Sequence, residues 1–258
     1  VKRIRGGSGL GDAIYMRPIV EHFIRAGESV EVCTAQADVF TGTGAQVSPF
    51  RRDNIDVLAH YVMGKQDTRT NQWQDICKSA GVAVPLAFKW EIRNRLLVDD
   101  LRAMAKGKPI VMVHGGRAPM ARTDGFGAEL LPKREAFDAV LDALDECFLV
   151  EVGKDAELYK LRADVDLHGR TTVTDLFDIS WMCAGVVGQC SWVIPLSECF
   201  DKPLLTVWAS HGMEHTRHPY IRAITPQKIL SKPTSRHVVD DWSIERIHEA
   251  AHAFRAVV

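Results

Sequence analysis

Val1-Lys-Arg-Ile-Arg5-Gly-Gly-Ser-Gly-Leu10-Gly-Asp12-Ala-Ile-Tyr15 is the stretch whose reading decides the fold. Val1 to Arg5 reads as a short strand, and Gly6, Gly7, Gly9 and Gly11 as a glycine-rich turn. Asp12 stands where an N-cap belongs, before a helix expected from about Ala13 to Ala26. Glycines at such a turn let the backbone approach a ligand or adopt positive φ. Asp12 therefore has two readings: a residue that caps its helix, or a catalytic carboxylate at the mouth of a strand–turn–helix unit.

The same rhythm runs outward from this unit. Val30 to Thr34 reads as a strand and Asp56 to His60 as a weaker one. Trp73 to Ala80 and Glu91 to Lys106 read as helices, the second with Ile92, Leu96, Leu97, Leu101 and Met104 at helical spacing. After the break Lys106-Gly-Lys-Pro109, Ile110 to His114 is an uninterrupted apolar strand of the kind found in buried parallel sheets, and it ends in Gly115-Gly116. Helices are expected over Lys133–Glu146, Thr174–Ala184 and Val193–Phe200, and strands over Phe148–Val152, Val186–Gly188 and Leu204–Trp208. Residues 210–239 read as irregular, and a last helix starts near Ser243 with Trp242 and Ile247 as a hydrophobic staple. The expected fold is α/β, with two Rossmann-like, doubly wound parallel-sheet domains facing a cleft. The first spans 1–106 and the second 107–240; a C-terminal helix, 241–258, is expected to pack back on the first.

Bulk properties narrow the function. With 32 Lys and Arg against 33 Asp and Glu, the net charge is −1, so no overall positive field draws the protein to nucleic acid or anionic membrane. No apolar run approaches the ~18–20 residues of a membrane span, and no signal-peptide core is visible at the start. The six cysteines at 33, 77, 147, 183, 190 and 199 form no Cys-x-x-Cys pair. Free thiols in a reducing cytoplasm are expected.

Candidate site residues cluster after strand ends. Gly115-Gly116-Arg117 is a phosphate-contacting turn or an ordinary strand exit. Thr171 and Thr172 either cap a helix or contact a ligand. Gln189, Ser191 and Trp192 lie between a strand and a helix; Gln189 suits a base or sugar hydroxyl, and Trp192 either stacks on a ring or packs in the core. Glu198, on the following helix, is a ligand-binding carboxylate or a helix-surface charge. His211-Gly-Met-Glu214-His215 lacks the His-Glu-x-x-His zinc order, so no metal is expected, and His211 is a candidate diphosphate contact.

Gly9-Leu-Gly-Asp12, followed by an apolar helix carrying Pro18, resembles the opening of glycosyltransferase family 9, the ADP-heptose heptosyltransferase-like enzymes of GT-B fold. Ile110 to Gly116, Leu131-Pro-Lys-Arg-Glu-Ala-Phe137 and Leu167-His-Gly-Arg-Thr-Thr-Val-Thr-Asp-Leu176 resemble later family segments in order. So do Val187-Gly-Gln-Cys-Ser191, Leu196 and Lys202-Pro-Leu-Leu-Thr-Val-Trp208. The resemblance implies an inverting, metal-independent glycosyltransferase that uses a nucleotide sugar as co-substrate, with no cofactor. It assigns Asp12 as general base on the acceptor hydroxyl. The chain departs from the family where Asp-Ser-Gly reads Cys190-Ser191-Trp192, where a His is Pro195, and where Lys and Trp are Glu129 and Leu131. Arg117, Arg122 and Lys154, each after a strand end, are the substitutes expected to hold the donor.

Three other classes stay open at this point. One is a DNA-modifying glycosyltransferase acting on a hydroxymethylated base, which the charge does not favour. The second is a nucleotide-sugar epimerase or hydrolase. The third is a degenerate, non-catalytic nucleotide-sugar-binding protein.

Overall fold

The computed structural model describes residues 1–51, 53–60, 71–115, 132–153, 161–210 and 234–258. They divide into two compact units, the first ending at Lys89 and the second beginning at Trp90.

In the first unit, β1 (Lys2–Arg5) leads through the glycine turn into α1 (Leu10–Arg25). β2 (Val30–Cys33), β3 (Gln46–Ser48), β4 (Val57–Leu58) and α2 (Gln72–Ala80) follow. The sheet order is β3-β2-β1-β4, with every pairing parallel. The order reverses between β1 and β4, which makes that crevice the switch point of a doubly wound sheet. Helix α1 is buried nearly all round, from Ala13 to Val20. It keeps the buried Arg17 by pairing its guanidinium with Glu21 at 2.9 Å, with the Val39 carbonyl at 2.6 Å and with the Phe88 ring. Pro18 interrupts the helical hydrogen bonding at its centre. Asn71 and Gln74 form a reciprocal capping box at the start of α2.

The second unit holds α3 (Arg95–Ala105), β5 (Ile110–His114), α4 (Arg134–Asp142), β6 (Phe148–Glu151), β7 (Val165–Asp166), α5 (Val173–Met182), β8 (Gly185–Gln189), α6 (Val193–Cys199), β9 (Leu204–Trp208), β10 (Arg236–Val239) and α7 (Ile244–Arg255). Its sheet runs β10-β9-β8-β5-β6-β7, all parallel, with the switch point between β5 and β8. Strands β5, β8 and β9 are buried throughout, as their unbroken apolar runs require. The chain is thus α/β with two Rossmann-like parallel sheets.

Four expectations change. The units divide between Lys89 and Trp90, not at 106/107, because the segment leading into α3 is fastened within the second unit. Buried Asp178 of α5 accepts hydrogen bonds from Trp90 Nε1 (2.7 Å), the Arg93 amide (3.1 Å) and the Asn94 amide (2.7 Å). The same contacts keep Glu91 to Asn94 out of α3, which starts at Arg95 with Asn94 as its cap. The C-terminal helix packs within the second unit. It lies against α4, β10 and β9, where Ile247, Ala251 and Phe254 join the core and Trp242 packs beside them. Finally, β10 emerges from the region read as irregular, as the edge partner of β9.

Gly185 shows how closely α7 is seated. A Cβ there would strike Val258 Cγ1 and lie 2.7 Å from Phe254 Cζ. Gly185→Ala is expected to cost about 1–3 kcal/mol through overpacking. Chemical denaturation of the two proteins checks this, and equal midpoints would mean that α7 is not held against β8.

Candidate functional site

At the first switch point the helix starts earlier than its sequence suggests. Gly9 is the N-cap of α1, so Asp12 occupies the third helical position and Gly11 lies inside the first turn. The Asp12 carboxylate folds back to accept the Gly9 amide at 3.1 Å. Gly7 is glycine for a steric reason: a Cβ there would run into that carboxylate. Gly6 has a similar constraint, since its Cβ would lie 3.0 Å from the Ala59 carbonyl oxygen. Gln36 Nε2 ties the turn down through the Ser8 carbonyl at 3.3 Å. Glycine permissiveness is thus spent at Gly6 and Gly7, more than at Gly9 and Gly11.

Asp12 is half-buried, and burial pushes its pKa up, against the lowering effects of the Gly9 hydrogen bond and of His60. His60 follows β4 on the other side of the same crevice. Burial pushes its pKa down, with the Asp12 carboxylate opposing and Arg5 adding to the shift. The sequence reading passed over His60 because it stood at the end of a weak strand with no motif around it.

At the second switch point, β5 delivers His114 and Gly115, and β8 delivers Gln189. His114 Nδ1 lies 3.1 Å from the Val152 carbonyl, and its ring centroid is 5.1 Å from that of Trp192. The two rings are tilted by 45°, with His114 buried and Trp192 half-buried. Gln189 is 2% exposed, and its Nε2 has no hydrogen-bond partner among the described residues. A buried amide N–H₂ without an acceptor is costly, about 1–3 kcal/mol, unless a ligand supplies one. Ser191 Oγ donates to the Gln189 carbonyl at 3.3 Å.

Other candidates have structural employment. A Cβ on Gly115 would overlap the Leu161 side chain, so close packing already requires glycine there. Thr172 caps α5: its Oγ1 accepts from the Asp175 amide, and its amide and hydroxyl donate to Asp175 Oδ2 at 2.8 and 2.7 Å. Thr171 is half-buried just before that cap. Glu198 is buried in α6, a helix with every residue buried, and so is not a surface charge. Gly116, Arg117, Arg122, Lys154 and His211 lie outside the described residues.

At the carboxyl ends of β6 and β7 lies a further group that no motif marks in the sequence. Buried His168 places Nδ1 2.8 Å from Asp166 Oδ1 and Nε2 3.8 Å from the fully buried Glu151 Oε1. Glu151 also accepts the Leu161 amide at 2.8 Å. The donor atoms of the three lie within 4.8 Å of one another. None of the six cysteines is in a disulfide, and burial pushes the Cys183 thiol up to about 11.

No protein-family model and no curated protein sequence matches the chain. Solved structures do. The chain is similar to E. coli ADP-heptose LPS heptosyltransferase II, with TM-score 0.63 at 11% identity over 98% of both chains. It is equally similar to a glycosyltransferase family 9 protein from Veillonella parvula, with TM-score 0.63 at 9% identity, covering 98% of this chain and 96% of that one. A UDP-N-acetylglucosamine 2-epimerase from Listeria monocytogenes gives TM-score 0.54 at 12% identity, over 100% of this chain and 91% of that one. The chain therefore has the GT-B-type fold of the heptosyltransferases and glycosyltransferase family 9.

Proposed function

We propose that the protein is an inverting, metal-independent glycosyltransferase, with Asp12 as general base and a nucleotide sugar as donor. The observation that carries this reading is the Asp12 carboxylate. It is half-buried, raised in pKa by that burial, and set at the carboxyl end of β1 beside the β1/β4 crevice. A raised carboxylate pKa brings the base closer to the pH at which it must work. In the reaction, Asp12 takes the acceptor hydroxyl proton as that oxygen attacks the anomeric carbon. The bond from that carbon to the diphosphate breaks, and the nucleoside diphosphate leaves with its electron pair.

The donor belongs at the β5/β8 switch point. Gln189 Nε2 offers its unmet donor to a base or ribose oxygen, and the half-buried Trp192 indole offers a stacking face. Arg117, Arg122, Lys154 and His211 remain the sequence-based assignments for the diphosphate, with Gly116 beside them. Thr172 is the weakest donor candidate, because the α5 cap occupies its side chain. The free thiols fit a reducing cytoplasm.

Thermal denaturation against ADP, UDP, GDP, CDP and their sugar conjugates tests the reading. A ligand at 100 times its Kd stabilises the fold by about 2.7 kcal/mol, so one base should stand out. Gln189→Leu should weaken that ligand about tenfold or more while leaving the ligand-free midpoint equal or higher. A protein indifferent to every member of the panel would not be a nucleotide-sugar enzyme. Likeness to the Listeria epimerase keeps one second reading, a nucleotide-sugar epimerase. Conversion of the donor in the absence of any acceptor would favour it.

A further inference from the structure

We propose that His60 is a positioning residue for Asp12, an imidazole that the end of β4 brings to the β1/β4 crevice beside the first turn of α1. The proposal rests on the reading of Asp12 as base. Its geometry comes from the sheet. β1 and β4 pair in register at Ile4 with Val57 and Arg5 with Leu58. The Ala59 amide then donates to the Arg5 carbonyl at 2.8 Å, extending the ladder past the end of β4. His60 is the next residue, level with the glycine turn. That turn is closed on both sides. Gly6 lies against the Ala59 carbonyl and, across it, the backbone carbonyl of Asp12; Gly7 lies against the Asp12 carboxylate. Two residues without side chains therefore bring the end of β4 and the first turn of α1 together.

The charges in this crevice can be named from each element. From α1 come the Asp12 carboxylate and the Gly9 amide it accepts. From β4 comes His60, and from β1 comes Arg5, whose Nη1 is held by the Arg51 carbonyl at 3.4 Å. Asp12 and His60 act on each other electrostatically, and Arg5 acts on His60. At neutral pH His60 is neutral, since burial and Arg5 disfavour its charged form. As pH falls His60 gains a proton, and its positive charge then opposes protonation of Asp12. Ionised Asp12 persists to lower pH than burial alone would permit, so the base stays available over a wider range.

The test is a pair of NMR titrations on the full chain, which need no substrate. Carboxyl ¹³C shifts follow Asp12, and imidazole ¹⁵N shifts follow His60. In His60→Gln the Asp12 midpoint should rise by about half a unit or more. In Asp12→Asn, which keeps an acceptor for the Gly9 amide, the His60 midpoint should fall by the same amount, since coupling is reciprocal. His60→Asn provides a second variant if Gln does not fold. An Asp12 midpoint unmoved by both His60 variants overturns the proposal. Once a donor and acceptor are in hand, the acid limb of the rate profile should move up in His60→Gln by the same shift. Coupling present without any transfer activity sinks the assignment of Asp12 as base and leaves the pairing standing. Transfer activity without coupling does the reverse.

Discussion

Replacing Asp12 by Asn lowers the rate of sugar transfer by about 10²- to 10⁴-fold, the span of a lost general base, and leaves nucleotide affinity unchanged. Steady-state rates and calorimetric binding separate the two effects. The same variant decides between the two readings of this residue. An Asp whose only work is to accept the Gly9 amide from the third position of α1 would be replaced by Asn at little cost, because the side-chain amide oxygen accepts the same bond. Burial in the folded protein, however, raises the Asp12 pKa above the ordinary carboxylate range, so folding disfavours its charged form. That penalty is full above the folded pKa and is relieved as pH falls through it. Asn carries no charge, so Asp12→Asn should be more stable than the parent at neutral pH and lose that advantage in acid. A variant that is inactive, better folded at pH 7 and still competent for nucleotide is the expected result. A variant with parental turnover removes Asp12 from the chemistry.

Asp178→Ala is expected to cost about 3–5 kcal/mol, the range for breaking a buried charged partnership. The carboxylate is fully buried and serves the Trp90 indole N–H and the amides of Arg93 and Asn94. Its removal leaves those three donors without their acceptor. Arg93 also lies over the Trp90 ring, and Trp90 packs edge to face on Phe177, so the loss spreads into the aromatic core. Asn94 loses the acceptor of its amide and keeps its side-chain bonds, Nδ2 to Asp175 at 2.8 Å and Oδ1 from the Leu97 amide at 3.2 Å. Asp178→Asn retains one acceptor and should cost less than Ala. Thermal unfolding should show a drop of roughly 10 °C or more for Ala. A change under about 1 kcal/mol, below the ordinary scale of a lost buried hydrogen bond, would mean that residues 90–94 are held by something else.

The parts of the fold legible in the sequence are those where one signal dominates. The short apolar runs Ile110–His114 and Leu204–Trp208, each preceded by a proline, read as strands, and both are buried parallel strands. Strands β3, β7 and β10 escaped because edge strands of two to four residues carry too few buried positions for a pattern. The division of the chain was misread for a different reason. Lys106-Gly-Lys-Pro109 is a real helix stop, and local chemistry does not distinguish a turn inside a unit from a linker between units. What sets the boundary is Asp178 reaching back 88 positions to Trp90, a partnership no local window contains. The candidate site divides in the same way. Asp12 and Gln189 stand beside strand exits and could be read directly. His114 and His60 could not, since each matters through a neighbour supplied by another strand.

The placement of β8 between β5 and β9 has a consequence for how the polypeptide is made. Strand β5 ends at His114, and its partner on one side begins only at Gly185, about seventy residues later. At a synthesis rate of ~5–20 residues per second, β5 waits several seconds with one edge open. The segment exposed is Ile-Val-Met-Val-His, strongly apolar and uncharged, the composition that pairs readily with foreign strands. Long-range parallel pairing of this kind is also slow to form. Yield of the intact protein should therefore depend on how quickly a nascent chain passes residue 189, and on whether a chaperone covers that edge until it does.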